Sequence, residues 1–533
     1  MNSAAADPPQ EGQVDMSAQR GPSLRWLLTA LALAVALAIP FFLVDVPPIL
    51  DYPNHLARYF VLAHPGDPVL SQMYLPRWGL IPNLGMDVLG AGLLRLTDVH
   101  VGGRILLAVS LFAPVVGVVV YSRGVFGEFS HWPLASGTLA FNGIFHLGFM
   151  NFLLGLGLAF AAAAGWIVLR RRGEALAAVA YAVVATPVLF FCHLFGVLVF
   201  ALLISAEEIA RLSASRHAGK LTAAEVMRTG ILLAIAISPA VVLYLAAPLA
   251  AGAAAPAPVA GVGYKLWALL TPFMTTNIWL TLWTTVIVTG FLAIAWRRTS
   301  VSPGVWIALG ILAMVYLMAP SEIKGGTFVD VRLGMIVGLL FFAGFRPSLS
   351  PRQALVAGVI FAALIGARSI YIAATWIDHR QTLAELRGAM AQIAPASRVM
   401  IARGPRAIGT YAERPEWALP GISRLDGQLS ALMVIEQRAF WPLLFADPAQ
   451  QPMEVTAEFR PLSQSPGGPV DFVWLSDANA PAARLKQAPY LKSWRADFDA
   501  VLLIDPPALL PSTPEGLTQV HAAPFAVLYR IQH

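Results

Sequence analysis

The chain has 533 residues, 57% of them apolar and 12% charged, with a mean hydropathy of +0.67. A soluble domain carries about 25% charged residues, so a single water-soluble globule and a disordered chain are both excluded; the 40 prolines and 43 glycines, lying mostly between apolar runs, exclude a collagen-like or coiled-coil rod. The net charge of +6 falls beside apolar runs, where cations orient a membrane protein rather than bind nucleic acid, and the lone Cys192 leaves no disulfide framework and no thiolate metal cluster.

Residues 1–24 form a polar, small-residue, Pro-containing tail whose first 20 positions read as disordered. A bilayer core of about 30 Å needs roughly 20 apolar residues in a helix. The first such run is Trp26 to Val44, preceded by Arg20 and Arg25. It is long and has no small-x-small cleavage site, so it reads as an uncleaved anchor. Further spans are predicted near 101–121, 132–147, 149–169, 175–192, 194–210, 229–250, 277–296, 304–320, 331–345 and 353–373. Asn142 and His146 interrupt the one at 132–147. Alternating these from an inside N-terminus puts Arg123, Arg170, Arg171, Arg172, Arg211, Arg216, Lys220, Arg228, Arg297, Arg298, Arg346 and Arg352 on the cytoplasmic side. That asymmetry supports about eleven spans and an outside C-terminus.

Two outer regions are too long to be connectors. Residues 45–100 hold Asp51-Tyr52-Pro53-Asn54-His55-Leu56-Ala57-Arg58, where Leu56, Tyr59, Phe60 and Ala63 suggest a short amphipathic helix on the membrane surface with Arg58 off its apolar face. Residues 377–533 regain charge. Short apolar runs at Arg398–Ala402, Ala431–Glu436, Asp471–Leu475, Ala500–Asp505 and Phe525–Ile531 read as strands, and Gln381–Ile393 reads as a helix. The expected fold is therefore an α-helical polytopic membrane bundle over 25–376 with a C-terminal α/β domain in the outer compartment.

Between His100 and Ile377 there are seven acidic residues, and only Glu322 and Asp330 fall outside the cytoplasmic loops. They share the loop Ala319-Pro-Ser-Glu-Ile-Lys-Gly-Gly-Thr-Phe-Val-Asp-Val-Arg332 with Lys324 and Arg332. Carboxylates and cations at the outer lip, beside lipid, suit an enzyme acting on a lipid-linked anionic substrate. Asp51 reads either as a helix N-cap or solvated loop acid, or as a general base that deprotonates an acceptor hydroxyl as a sugar's anomeric carbon is attacked. His55, one helical turn on, shares its face. Arg332 reads either as an interfacial anchor or as a bidentate phosphate ligand. Asp330 pairs with it on the simpler reading. Lys324 and the Gly325-Gly326 turn add a cation and exposed N–H groups suited to a phosphate leaving group. His55, His146 and His193 lie at outer ends of spans with no metal-ligand spacing. The span centres carry essentially no charge and the chain shows no internal repeat, which speaks against a transporter.

This layout, with Asp51 just beyond the first span inside Leu50-Asp51-Tyr52-Pro53-Asn54-His55 and Asp330-Val331-Arg332 heading a late span, resembles the GT-C superfamily of polytopic glycosyltransferases. The resemblance implies a polyprenyl-phosphate-sugar donor, a lipid, glycan or protein acceptor, membrane lipids as surroundings, and a bacterial inner membrane with the active cavity between the first periplasmic loop and the mouth of the bundle. It makes Asp51 the base and Arg332 and Lys324 the phosphate contacts, with His55, Arg58 and Asp330 beside the substrate. It leaves a divalent metal open as a cofactor, although Tyr52, not a second acid, follows Asp51 and one carboxylate is a poor Mg²⁺ or Mn²⁺ site. The alternatives are a lipid or solute transporter or flippase, and a binding module anchored by an inert bundle.

Overall fold

In the computed structural model the described residues are 21–248, 258–323, 326–404, 417–464, 467–476, 485–486, 488–506 and 513–532. The expected disordered tail, and Lys324 with Gly325, lie outside them. The apolar runs form helices α1 (Leu24–Ala38, carried on as a 3-10 turn to Phe42), α2 (Tyr52–Ala63), α3 (Gly85–Leu93), α4 (Val99–Phe126), α5 (Gly143–Leu147), α6 (Met150–Arg171), α7 (Ala175–Cys192), α8 (Leu194–His217), α9 (Ala223–Ala246), α10 (Val262–Ala268), α11 (Ile278–Ala295), α12 (Pro303–Met318), α13 (Val329–Ala343) and α14 (Pro351–Met390). Among the described residues seven are long and apolar enough to cross a membrane: α1, α4, α6, α7, α9, α11 and α14. The chain is a polytopic helical membrane protein. The expected runs at 194–210, 304–320 and 331–345 are helical too, as α8, α12 and α13, but α8 carries Glu207 and Glu208, and α12 and α13 have 16 and 15 residues.

The run at 132–147 is not one helix. A 3-10 helix over Trp132–Leu139 breaks and restarts as α5. Asn142 explains how the break survives away from water. Its Oδ1 accepts from Phe145 N at 2.9 Å, and its Nδ2 donates to Leu139 O and Ala140 O at 2.7 and 3.2 Å. A broken backbone at membrane depth needs such substitutes. Arg368 supplies another, donating to Phe141 O at 2.6 Å, to Phe273 O at 2.8 Å and to Thr284 Oγ1 at 3.2 Å. Arg368 lies mid-way along the apolar part of α14 and is 2% exposed, which corrects the expectation of charge-free span centres. Its donors are spent on orphaned carbonyls.

Helices α4 and α6 pack backbone against backbone. A Cβ on Gly117 would fall 2.4 Å from Gly157 O, so the crossing depends on two small residues meeting backbone to backbone. At one end of this pair the basic residues gather: Arg170 and Arg211 on Glu208, and Arg171 on Gly124 O and Val125 O. The opposite end carries residues 45–98 and the C-terminal region.

That region is built on a five-stranded sheet of β1 (Val399–Arg403), β2 (Val470–Asp471), β3 (Ala500–Ile504), β4 (Leu517–Ala522) and β5 (Ala526–Ile531), in the order β4-β5-β3-β1-β2. β1 runs parallel to β2 and β3, with Val399 opposite Ala500 and Arg403 opposite Ile504; β5 is antiparallel to β3 and β4. Three of the five expected strand runs form strands here, as β1, β3 and β5; Asp471–Leu475 gives only Asp471 to β2 and goes on as a 3-10 helix over Phe472–Leu475. The fifth, Ala431–Glu436, is instead a 3-10 turn followed by a short helix, Leu432–Glu436. An unbroken apolar run does not distinguish a buried strand from a buried helix. No break occurs at 377, because α14 continues unbroken into the C-terminal region.

The first loop and the C-terminal region share a core. Tyr74–Pro76 pairs antiparallel with Met453–Val455. Asn54 Nδ2 donates to Leu443 O at 3.0 Å, and its Oδ1 accepts from Phe445 N at 2.9 Å. Helix α2 is thus enclosed: eleven of its twelve residues are buried, Arg58 among them. It is not a membrane-surface helix, because the C-terminal region covers the face that the amphipathic pattern left polar.

Candidate functional site

Asp51 occupies the N-cap position of α2, yet its side chain makes no capping bond. The turn after α5 holds its backbone: Leu50 N donates to His146 O at 3.0 Å and Asp51 N to Leu147 O at 3.2 Å. Gly148 makes this approach feasible. It has φ +84°, and a Cβ there would sit 3.0 Å from both Asp51 Cβ and Asp51 N. The freed carboxylate turns to the C-terminal region, where Gln428 Nε2 donates to Asp51 Oδ1 at 2.6 Å.

Burial pushes the Asp51 carboxyl up to about 7, against the opposing pull of the Gln428 hydrogen bond and of the Arg58 and Arg332 charges. Desolvation disfavours the anion more than these partners favour it. A carboxylate poised near neutrality matches what a general base requires.

His55 and Arg58 follow Asp51 on one face of α2. His55 stacks on Tyr59 and meets Phe445 edge-on at 6.0 and 5.5 Å between centroids. Burial, aided by the Arg58 charge, holds it well below the usual histidine range, so the ring is neutral at pH 7. Its Nδ1 is buried without a partner. Arg58 Nε donates to Asp87 Oδ1 at 2.6 Å, both side chains being almost fully buried. The pair is single-stranded: Arg58 Nη1 and Asp87 Oδ2 have no hydrogen-bond partner. Burial raises the Asp87 carboxyl, with the Arg58 charge pulling it back.

Arg332 reaches the same neighbourhood from the first turn of α13. Its guanidinium lies over the rings of Phe149, Phe152 and Phe195 at 4.6, 5.5 and 5.6 Å, and Nη1 meets His193 Nε2 at 3.2 Å. Aromatic faces favour a cation without neutralising it. Nε remains buried and unpartnered. Caged by three phenylalanines, Arg332 is no snorkelling anchor.

Asp330 does not pair with Arg332. It is fully buried on Lys265 Nζ at 2.5 Å, and Lys265 also donates to Tyr316 O and Ala319 O at 2.7 and 3.1 Å. This pair fastens α10 to the end of α12 and the start of α13, and takes Asp330 out of the site. The two-residue spacing to Arg332 misled because successive positions at a helix start point in different directions.

A cleft of about 350 Å³, lined by Ala260, Tyr264, Ser321, Glu322, Thr327 and Phe328, lies next to this group. Phe328 in its wall contacts Phe149, the ring beneath Arg332. Asp51 and Arg332 themselves do not line it. Among the described residues no three His, Cys, Asp or Glu side chains converge as metal ligands, and Asp51, the one acid whose oxygen faces Gln428, is flanked by two arginines. This donor set does not fit a divalent cation.

The structure therefore brings Asp51, His55, Arg58 and Arg332 together and sets Asp330 apart. Gln428, Gly148, Phe149 and His193 complete the group. No family model matches the chain, and no curated protein matches it.

Proposed function

We propose that the chain is a membrane glycosyltransferase of GT-C type, moving a sugar from a polyprenyl phosphate to a lipid, glycan or protein acceptor at the outer face. On this reading the N-terminus is cytoplasmic, the C-terminal domain is periplasmic, and the membrane is a bacterial inner membrane crossed about eleven times. One observation carries the reading: a carboxyl group titrating near neutrality sits within the fields of two guanidinium groups that retain unused donors.

Asp51 takes the proton of the acceptor hydroxyl as its oxygen bonds to the anomeric carbon. The bond from that carbon to the phosphate oxygen breaks, and its electron pair leaves with the phosphate. Arg332 and Arg58 stabilise the negative charge gathering there; Lys324, outside the described residues, belongs to the same proposal. No step runs through a metal. The rival reading, a transporter or flippase, calls for an ionisable group exposed along the bundle. Arg368 is mid-helix but committed to carbonyls, so it lends that reading nothing.

Transfer of sugar from a polyprenyl-phosphate donor by purified protein in vesicles tests the proposal. Asp51→Asn is expected to lower the rate about 100-fold or more, the scale of a lost general base. Undiminished transfer in the folded variant removes Asp51 from the chemistry.

A further inference from the structure

Open parallel sheets bind ligands in the crevice beyond the carboxyl ends of their strands, where neighbouring connections diverge. Here the chain leads from β1 to β2 on one side, and from its other neighbour β3 to β4 at the far edge of the sheet. The carboxyl ends of β1 and β3 deliver Arg403 and Asp505 to that crevice. The chain's own residues fill it. Arg403 Nη2 donates to Asp426 Oδ1 at 2.9 Å; Arg424 grips both Asp426 oxygens at 3.1 and 2.6 Å and donates to Asp505 Oδ2 at 2.6 Å. Asp426 is wholly buried. A charge pair held this way imposes a defined position on the segment that carries it.

The same segment is also pinned from below. Leu419 and Leu425 share a small buried cluster with Leu147 and Met274 of the bundle. Gly421 lies against Trp267, and Gly427 against Leu50. Two residues beyond Asp426, Gln428 places Nε2 on Asp51. The amide orientation follows from the chemistry, since a carbonyl facing a carboxylate would repel it. Gln428 Oε1 is left buried with no partner, and a buried acceptor without a donor calls for a reason.

We propose that Gln428 is a positioning residue of the membrane site, delivered by the outer domain: its amide N–H orients Asp51, and its Oε1 receives a hydrogen bond from the hydroxyl of the acceptor. The four-charge cluster at the carboxyl ends of β1 and β3 is the clamp that sets its reach. The second half of this inference rests on the glycosyl-transfer reading; the first half stands without it.

The test uses the full chain in lipid nanodiscs and dicyclohexylcarbodiimide, which adds to protonated carboxyl groups. Asp51 adduct is read by peptide mass spectrometry against pH. Removing one hydrogen bond to a carboxylate raises its midpoint by about one pH unit. Gln428→Leu is expected to shift the Asp51 labelling midpoint upward by that amount, and Asp505→Asn, which weakens the clamp at Arg424, to shift it in the same direction. Identical midpoints in wild type and a folded Gln428→Leu overturn the inference. Should Gln428→Leu fail to fold, Gln428→Asn withdraws the amide by one methylene and is judged by the same shift. A shift with Gln428→Leu but none with Asp505→Asn overturns the clamp.

A transfer assay then separates the two readings. Gln428→Leu is expected to raise KM for the acceptor severalfold more than it changes donor hydrolysis, and equal effects on both overturn the role of Oε1. A shifted midpoint in a protein that transfers no sugar leaves Gln428 as the partner of Asp51 and removes the glycosyltransferase reading. Transfer with an unshifted midpoint does the reverse.

Discussion

The two ends of the bundle use the same residue types to opposite effect. At the basic end Glu208 accepts from Trp166 Nε1 at 3.0 Å, from Arg170 at 2.6 and 2.9 Å, and from Arg211 at 3.0 and 2.5 Å. Every carboxylate oxygen is saturated. At the opposite end Asp51 has one side-chain donor among the described residues, Gln428, while Arg332 Nε, Arg58 Nη1 and Asp87 Oδ2 are buried without a hydrogen-bond partner. A saturated cluster holds helices together; an unsaturated one has capacity left for something that is not protein. Arginines make the same contrast, with Arg368 spent on three oxygens and Arg332 resting on rings.

The sharpest way to break this contrast is to neutralise the idle cation. Arg332→Gln is expected to cut sugar transfer about 100-fold or more, the scale of one lost charge-stabilising donor, with little change in melting temperature. A large fall in stability instead would class Arg332 with Arg368. Glu208→Ala should do the opposite. It strands Arg170 at a half-buried position and costs about 2 kcal/mol of stability, readable by thermal unfolding in detergent, while transfer per folded molecule stays unchanged.

A smaller effect sharpens the role of Asp51. Its carboxyl titrates at about 7 in the folded chain and near 4 in an unfolded one. Between those values the folded state holds a proton that the unfolded state has released, so stability falls as pH rises through that window. Asp51→Asn removes the loss. The variant should melt above wild type at pH 8 and level with it at pH 4; parallel curves at both would mean that the folded carboxyl is not raised.

Much of this architecture is legible in the residues themselves. Apolar run length located the long helices, and the rule that cations collect at one side grouped Arg170, Arg171 and Arg211 at a common end. Asp51, Arg58 and Arg332 stood out as polar groups at the lip. What escaped was everything that distance in sequence conceals. Gln428 lies 377 positions from Asp51, and nothing local marks it. The enclosure of α2 follows from a domain that begins more than 300 residues later. Arg368 hid inside an apolar run whose length outweighed one charge, and its purpose exists only because Phe141 and Phe273 present carbonyls in broken segments. The pairing of Asp330 was misjudged because Lys265 belongs to another loop.

Helix α14 has 40 residues without a break, about 60 Å of rigid rod, or twice the thickness of a hydrocarbon core. A rod that long is a lever. A change of about 10° in its inclination, such as a thinner or thicker bilayer imposes, sweeps its far tip by about 10 Å, and that tip supports the sheet from which Gln428 hangs.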